Sequence, residues 1–235
     1  MSVNIEEIKQ KIYEKLKPSG WGDKLKSFIL SSDFDKILQK LESEAVEGKR
    51  FVPQLKYLFT AFERCPYDKL RVVIIGQDPY PYLGVPDGMA FSCSHKGKPE
   101  ASLRYMFDEI ERTVYGGEGY IREPDLTRWA DQGVLLLNSA LTTTLNKPGV
   151  HQILWRPFMA FLFDILGWYN PGIIYVFMGK VAQGWAESIP DNCYKLMTSH
   201  PAAAAHMTME RWDSKDVFNE VNRILEKTNA EKIIW

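Results

Sequence analysis

Four apolar runs in this 235-residue chain each end in a polar group of the kind that enzymes use. Arg71–Ile75 runs into Gly76-Gln77-Asp78-Pro79-Tyr80, and Val134–Leu137 ends at Asn138. Ile173–Met178 leads to Gly179-Lys180, and Tyr194–Ser199 leads to His200-Pro201. A carboxylate can stabilise positive charge or steer a proton, an amide can read a polar edge with one donor and one acceptor, and an imidazole can donate a hydrogen bond. Taken singly, each would serve as readily as a turn residue or helix cap. Placed at the carboxyl ends of parallel strands in one sheet, they would converge on the edge where open α/β sheets bind ligands.

The elements that must position them follow from periodicity. Residues 4–16 and 22–45 carry Leu, Ile, Lys and Glu at helical spacing, with Ser32 or Asp33 as the expected cap of the stretch through Phe34 and Leu41. Val52–Leu55 reads as a loop before a short helix at 58–62. Strands are expected at 70–75, 134–138, 173–178 and 194–199. Between them lie helices from Ser102 to Gly116, at 126–130, from Trp155 to a stop near Asn170-Pro171, and from Val181 to Ser188, with a last helix at about 213–227. Residues 76–100 are rich in Gly and Pro and read as a long loop, which in a compact domain is usually functional. Strand and helix in alternation imply a three-layer α/β/α fold with a central, mainly parallel four-stranded sheet. One domain over 1–235 is expected, with the N-terminal helices of 1–50 packed on it.

Composition narrows the function. The net charge is −1 at pH 7, which counts mildly against a protein that coats nucleic acid but leaves room for a local basic groove. Cys65, Cys93 and Cys193 are far apart, offer no zinc or cluster spacing, and read as reduced thiols. No leader and no apolar stretch of membrane-spanning length is visible, so a soluble, cytoplasmic protein is expected.

The combination of motifs is sharper than any one piece. Gly76-Gln77-Asp78-Pro79-Tyr80, Gly88-Met89-Ala90-Phe91-Ser92, Leu135-Leu136-Leu137-Asn138 with Leu141-Thr142, and Ser199-His200-Pro201 occur in that order. This pattern resembles the uracil-DNA glycosylases of family 1, the GQDPY type, from about residue 50 to Trp235. The resemblance implies a monofunctional glycosylase, acting as a monomer, that releases uracil from DNA and leaves an abasic site. In that reaction the sugar becomes oxocarbenium-like and the base leaves as an anion, so negative charge is needed near the sugar and donors near the base.

The resemblance also assigns roles. Asp78 would lie beneath the sugar and orient water, and Pro79 would fix the turn that aims it. His200 would donate to uracil O2, for which a neutral imidazole suffices. Asn138 would pair with O4 and N3–H and so reject cytosine. Phe91 would stack on the base, worth roughly 1–3 kcal/mol. Tyr80 would exclude the thymine methyl, and Gln77 belongs to the same substrate pocket. The nucleotide would be flipped out of the duplex. Pro99–Ser102, Gly179-Lys180 and the loop His200–Ala203, with Pro201 and Ala202, would grip the flanking phosphates; Lys180 reads equally well as a solvated lysine at a helix start. No metal or organic cofactor is implied. The expected partners are uracil-containing DNA, single- or double-stranded, and DNA-mimicking inhibitor proteins.

Two departures stand out. The family's histidine after GQDPY is Pro81 here, which weakens an expected contact with the DNA backbone. The family's HPSPLS is His200-Pro201-Ala202-Ala203-Ala204-Ala205, which places Ala204 where a leucine wedges into the base stack. Alanine is too short for that task. A one-residue shift brings His206 or Met207 into play, with Met207 as a soft wedge. The expectation is retained chemistry with poorer base flipping, and the rival is a weakened DNA-binding or scaffold member of the family. Retention of Asp78, Tyr80, Phe91, Asn138 and His200 together favours the enzyme.

Overall fold

A computed structural model of the chain describes residues 4–94, 97–117, 119–169, 172–207 and 210–235. Four five-residue strands, β2 (Val72–Gly76), β3 (Val134–Asn138), β5 (Ile174–Met178) and β6 (Tyr194–Thr198), form one sheet in the order β3-β2-β5-β6. Every pairing in it is parallel. The runs of β2, β3 and β5 are rich in Val, Ile and Leu and buried along their whole length, as expected of strands covered on both faces. β6 is an edge strand, and its Tyr194 and Met197 are exposed.

The register sets the site. Gly76 lies opposite Asn138, and Met178 lies opposite Thr198, so the strands end flush. The chain leaves β2 for β3 on one side and returns to β5 on the other, which places the topological switch between β2 and β5. The residues that follow Gly76, Met178 and Thr198 therefore emerge side by side.

Helices flank the sheet, as the alternating pattern required. α1 (Ile5–Leu16) is capped by Asn4, whose side chain accepts from the Glu7 N–H. The helical stretch over 22–45, with its expected cap at Ser32 or Asp33, forms α2 (Trp21–Ile29) and α3 (Ser32–Val46). The break arises at Ser31, whose hydroxyl accepts from the Phe34 N–H and donates to the Phe28 carbonyl, so the cap is one residue earlier than Ser32. α2 and α3 both pack on α7 (Gln152–Tyr169), where Phe28, Phe59 and Phe62 meet Phe158 edge-on. The expected stop of α7 at Asn170-Pro171 lies outside the described residues. α5 (Ala101–Thr113), α6 (Thr127–Ala130) and α10 (Val217–Lys227) complete the other packing layer, in which Trp129 and Phe218 pack on Trp235 near the end of the chain. Short helices α4 (Thr60–Arg64) and α8 (Lys180–Gln183) precede β2 and follow β5. All three cysteines are buried free thiols. No described helix is long and apolar enough to cross a membrane.

Two elements differ from the sequence expectation. Phe51–Val52, at the edge of the expected loop, forms β1 and pairs antiparallel with β4 (Thr143–Thr144), a ribbon too short to show periodicity. The segment after His200, expected as a loop, is a helix, α9 (Pro201–His206). Its composition explains this: proline suits a first helical position and alanine has the best helix propensity. His200 reinforces the start, because its Nδ1 accepts from the Ala202 N–H at 3.1 Å.

Candidate active site

Phe91 joins the residues of the candidate site. Its ring centroid lies 5.6 Å from that of His200, and its carbonyl accepts a 3.0 Å hydrogen bond from the Tyr80 hydroxyl. Burial pushes the Tyr80 phenol well above its ordinary value, which keeps it a donor. Phe91 adopts φ 66°, a left-handed conformation that a bulky residue takes only when its surroundings enforce it. The enforcement comes from Asp87, a buried carboxylate that accepts from the Met89 N–H at 3.0 Å, the Ser92 hydroxyl at 2.6 Å and the Ser94 N–H at 3.1 Å. Nothing in the sequence singles out Asp87, because its role is to hold a turn rather than to touch substrate.

Asn138 and Phe91 meet over Gly76. A Cβ on Gly76 would stand 2.8 Å from Asn138 Oδ1 and 3.2 Å from Phe91 Cζ, so the backbone there runs directly against these two side chains. Gly76→Ala is expected to keep the fold with a lower melting temperature, because the buried Asn138 and Phe91 must shift, and to lower kcat/KM at least about tenfold, since small displacements of recognition groups are costly. Steady-state rates and a thermal melt of the same sample check this. Asn138 is itself buried, with its strand fixing the direction of its amide.

Asp78 lies two residues past Gly76 and is half-buried. Burial pushes its carboxyl above the ordinary carboxylate value. The Gly149 N–H, the side chains of Gln77 and Thr143, and the nearby His151 act in the opposite direction. Gln77 is held through its carbonyl, which accepts from the Ala140 N–H at 3.0 Å and the Gln152 amide at 2.8 Å. Sequence reasoning missed Thr143, Gly149 and His151, which lie in a stretch without periodicity.

His200 approaches from β6. Gly179 has φ 92°, and a Cβ there would stand 2.8 Å from His200 Cβ, so only glycine lets the two strand ends close up. Because Nδ1 accepts from Ala202, the neutral ring carries its proton on Nε2 and can donate from that atom.

The other expected contacts divide by exposure. Lys180 is exposed beside the buried Gly179, and Pro81 is partly buried, with its carbonyl accepting from the Asn146 N–H at 2.8 Å. Ser102 and Pro201 are buried near the starts of α5 and α9, and Ala202 is partly buried. Ala204 is a correction: it is only 2% exposed where α9 packs against α5, so it offers nothing to DNA. Helix formation turns that side chain inward. Met207, just past α9, is 71% exposed. The side chain of His206 lies outside the described residues.

A carboxylate, an amide and an imidazole donor thus follow or end strands at the carboxyl edge of a parallel α/β/α sandwich, a set of groups able to steady opposite charges on the two halves of a breaking bond. Known proteins place it further. The model of the uracil DNA glycosylase superfamily matches residues 62–226. A uracil-DNA glycosylase of Acinetobacter baumannii is 32% identical over 232 residues, covering 98% of this chain and 97% of that protein. One from Borrelia turicatae is 35% identical over 185 residues, covering 77% of this chain and 82% of its own length. The crystal structure of mimivirus uracil-DNA glycosylase superposes with a TM-score of 0.83 at 26% identity, over 99% of this chain and 89% of that one. A Y322F variant of the mimivirus protein in complex with UGI superposes with a TM-score of 0.80 at 27% identity, over 92% and 87%. The chain belongs to the uracil DNA glycosylase superfamily, and its enzyme class is that of a DNA glycosylase, a hydrolase of N-glycosyl bonds.

Proposed function

We propose that this chain is a family 1 uracil-DNA glycosylase that hydrolyses the N-glycosidic bond of deoxyuridine in DNA, releases free uracil and leaves an abasic site for base excision repair. The observation that carries this reading is that Asn138 and Phe91 meet over Gly76 and the Phe91 ring lies 5.6 Å from that of His200, with Asp78 two residues beyond Gly76. Phe91 supplies a stacking face, and Asn138 offers an acceptor and a donor suited to O4 and N3–H of uracil. His200 donates from Nε2 to O2 as negative charge grows on the departing base. Asp78 stabilises positive charge on the sugar and orients water toward C1′. The Tyr80 ring fills the space beside C5 and rejects the thymine methyl. Gln77, Pro81, Ser102, Gly179, Lys180, Pro201 and Ala202 remain the candidates for holding the strand. The whole of 1–235 acts as one monomeric cytoplasmic domain, with the helices of 1–50 docked on it. A DNA-mimicking inhibitor protein is a second partner, by analogy with the mimivirus relative solved with UGI.

Incubation with an oligonucleotide carrying one deoxyuridine, followed by alkali, tests the reading. Strand breakage at that position with stoichiometric free uracil is expected; an intact strand after prolonged incubation removes it.

The buried Ala204 leaves the space of a flipped base to be filled by another group, and the exposed Met207 is the candidate wedge. The single-strand rate should therefore exceed the duplex rate. Met207→Ala should lower the duplex rate a further roughly fivefold while leaving the single-strand rate near parent, because only the duplex requires unstacking. A duplex rate equal to or above the single-strand rate removes this element of the proposal.

A further inference from the structure

Behind Asp78 lies a buried polar chain that no step of the reaction uses directly. His151 is 2% exposed, and its Nε2 lies 3.0 Å from Glu44 Oε2. Its Nδ1 lies 2.8 Å from the hydroxyl of Thr142, which accepts from the Trp155 indole N–H at 2.7 Å. Glu44, 6% exposed near the end of α3, also pairs through Oε1 with Lys40 at 3.2 Å and accepts from the Thr144 hydroxyl at 3.3 Å. A buried carboxylate and imidazole without each other would be costly to keep, so the two fix one another's positions.

The placement of this chain relative to Asp78 is specific. Two of the groups that steady Asp78 are the Thr143 side chain and the Gly149 N–H. Thr143 is flanked in sequence by Thr142 and Thr144, both of which belong to the buried chain. Gly149 precedes His151 by two residues, with only the exposed Val150 between them. Both supports are thus clamped from behind by the same imidazole and carboxylate.

We propose that Glu44 and His151 are positioning residues for Asp78, through which the N-terminal helices hold the carboxylate in its working place. Glu44 comes from α3, outside the residues matched by the superfamily model. Among the described residues, the titratable groups shown to act with His151 are Glu44 from α3, itself paired with Lys40, and Asp78 from the loop after β2. Burial alone would raise the Glu44 carboxyl; the hydrogen bonds from His151 and Lys40 outweigh it and hold Glu44 below its ordinary value.

The inference rests on the uracil-excising reading for its kinetic arm only. Glu44→Ala removes the acceptor, and Glu44→Gln keeps the shape without the charge. With single-stranded deoxyuridine oligonucleotide, Glu44→Ala is expected to lower kcat roughly 10–100-fold with KM near parent, and Glu44→Gln to recover some of the loss. In the free proteins, the carbon-13 carboxyl resonance of Asp78, identified by its absence in Asp78→Asn, should titrate at higher pH in both variants, because the Gly149 and Thr143 supports loosen. A merely structural role would lower the melting temperature without moving that titration. An unchanged Asp78 titration and unchanged kcat in either folded variant overturns the proposal, and Glu44→Gln decides the matter alone should Glu44→Ala not fold. An inactive parent whose Asp78 titration still responds to Glu44 would sink the functional reading and leave the positioning role standing.

Discussion

Asp78→Asn is expected to lower kcat on a single-stranded deoxyuridine substrate by at least about 10²–10³-fold, the scale of losing one preorganised electrostatic group, while raising thermal stability at neutral pH. Both effects come from the same carboxylate. In the proposed reaction its ionised form faces a cationic sugar, and burial disfavours that form. The sign of the pH dependence is the reverse of the usual acid. Asp78 binds its proton more readily in the folded than in the unfolded chain, so its contribution to stability falls as pH rises from the ordinary carboxylate value through the raised one. Above that window the full destabilisation is present; below it both states are protonated and the contribution vanishes. Asparagine carries no charge to bury and keeps an oxygen for the Gly149 N–H. Melting temperatures of parent and variant should therefore diverge at neutral pH and converge under acid conditions. The parent's activity should fail on the acid side at a pH above the ordinary carboxylate range, as Asp78 takes up its proton. A variant no more stable than the parent at pH 7 would show that the Gly149, Gln77 and Thr143 supports compensate the burial completely.

His200→Ala is the second large effect. The neutral imidazole carries its proton on Nε2, because its other nitrogen accepts from the Ala202 N–H. Its removal deletes a donor to charge that develops only as the bond breaks, so kcat and kcat/KM should fall together, by about 10²–10³-fold. A KM increase at constant kcat would instead assign His200 to ground-state binding. The same substitution strips the first turn of α9 of its cap, at about 0.5–2 kcal/mol. Measuring the single-strand rate well below the melting temperature separates the two consequences, and a duplex assay then reports any disturbance of α9 and Met207.

Much of this site is legible from residue order. The four sheet strands announce themselves as apolar runs, and parallel pairing puts Asn138 and the residues that follow β2 and β6 at one sheet edge before any coordinates. What stays hidden depends on contacts between distant segments. Asp87 is one acid in a Gly- and Pro-rich loop, and only the fold reveals that it closes on Met89, Ser92 and Ser94 to hold Phe91 in a left-handed turn. Glu44 and His151 are 107 positions apart, and neither sits in a motif. Ala202–Ala205 misleads because family likeness suggests an extended loop, whereas alanine's own preference, aided by Pro201 and the His200 cap, winds it into α9. Local propensity is the better guide there, and it explains why Ala204 turns inward and Met207 outward.

The alignment of Gly76 with Asn138, and of Met178 with Thr198, makes the sheet itself the ruler of the pocket. One residue added to or lost from β3 would carry Asn138 about 3.3 Å along the strand and swing its amide to the opposite side. No adjustment in a neighbouring loop could restore it. The lengths of these strands are thus tied to one another by the register, and a change of length is better absorbed in the connections that run between them.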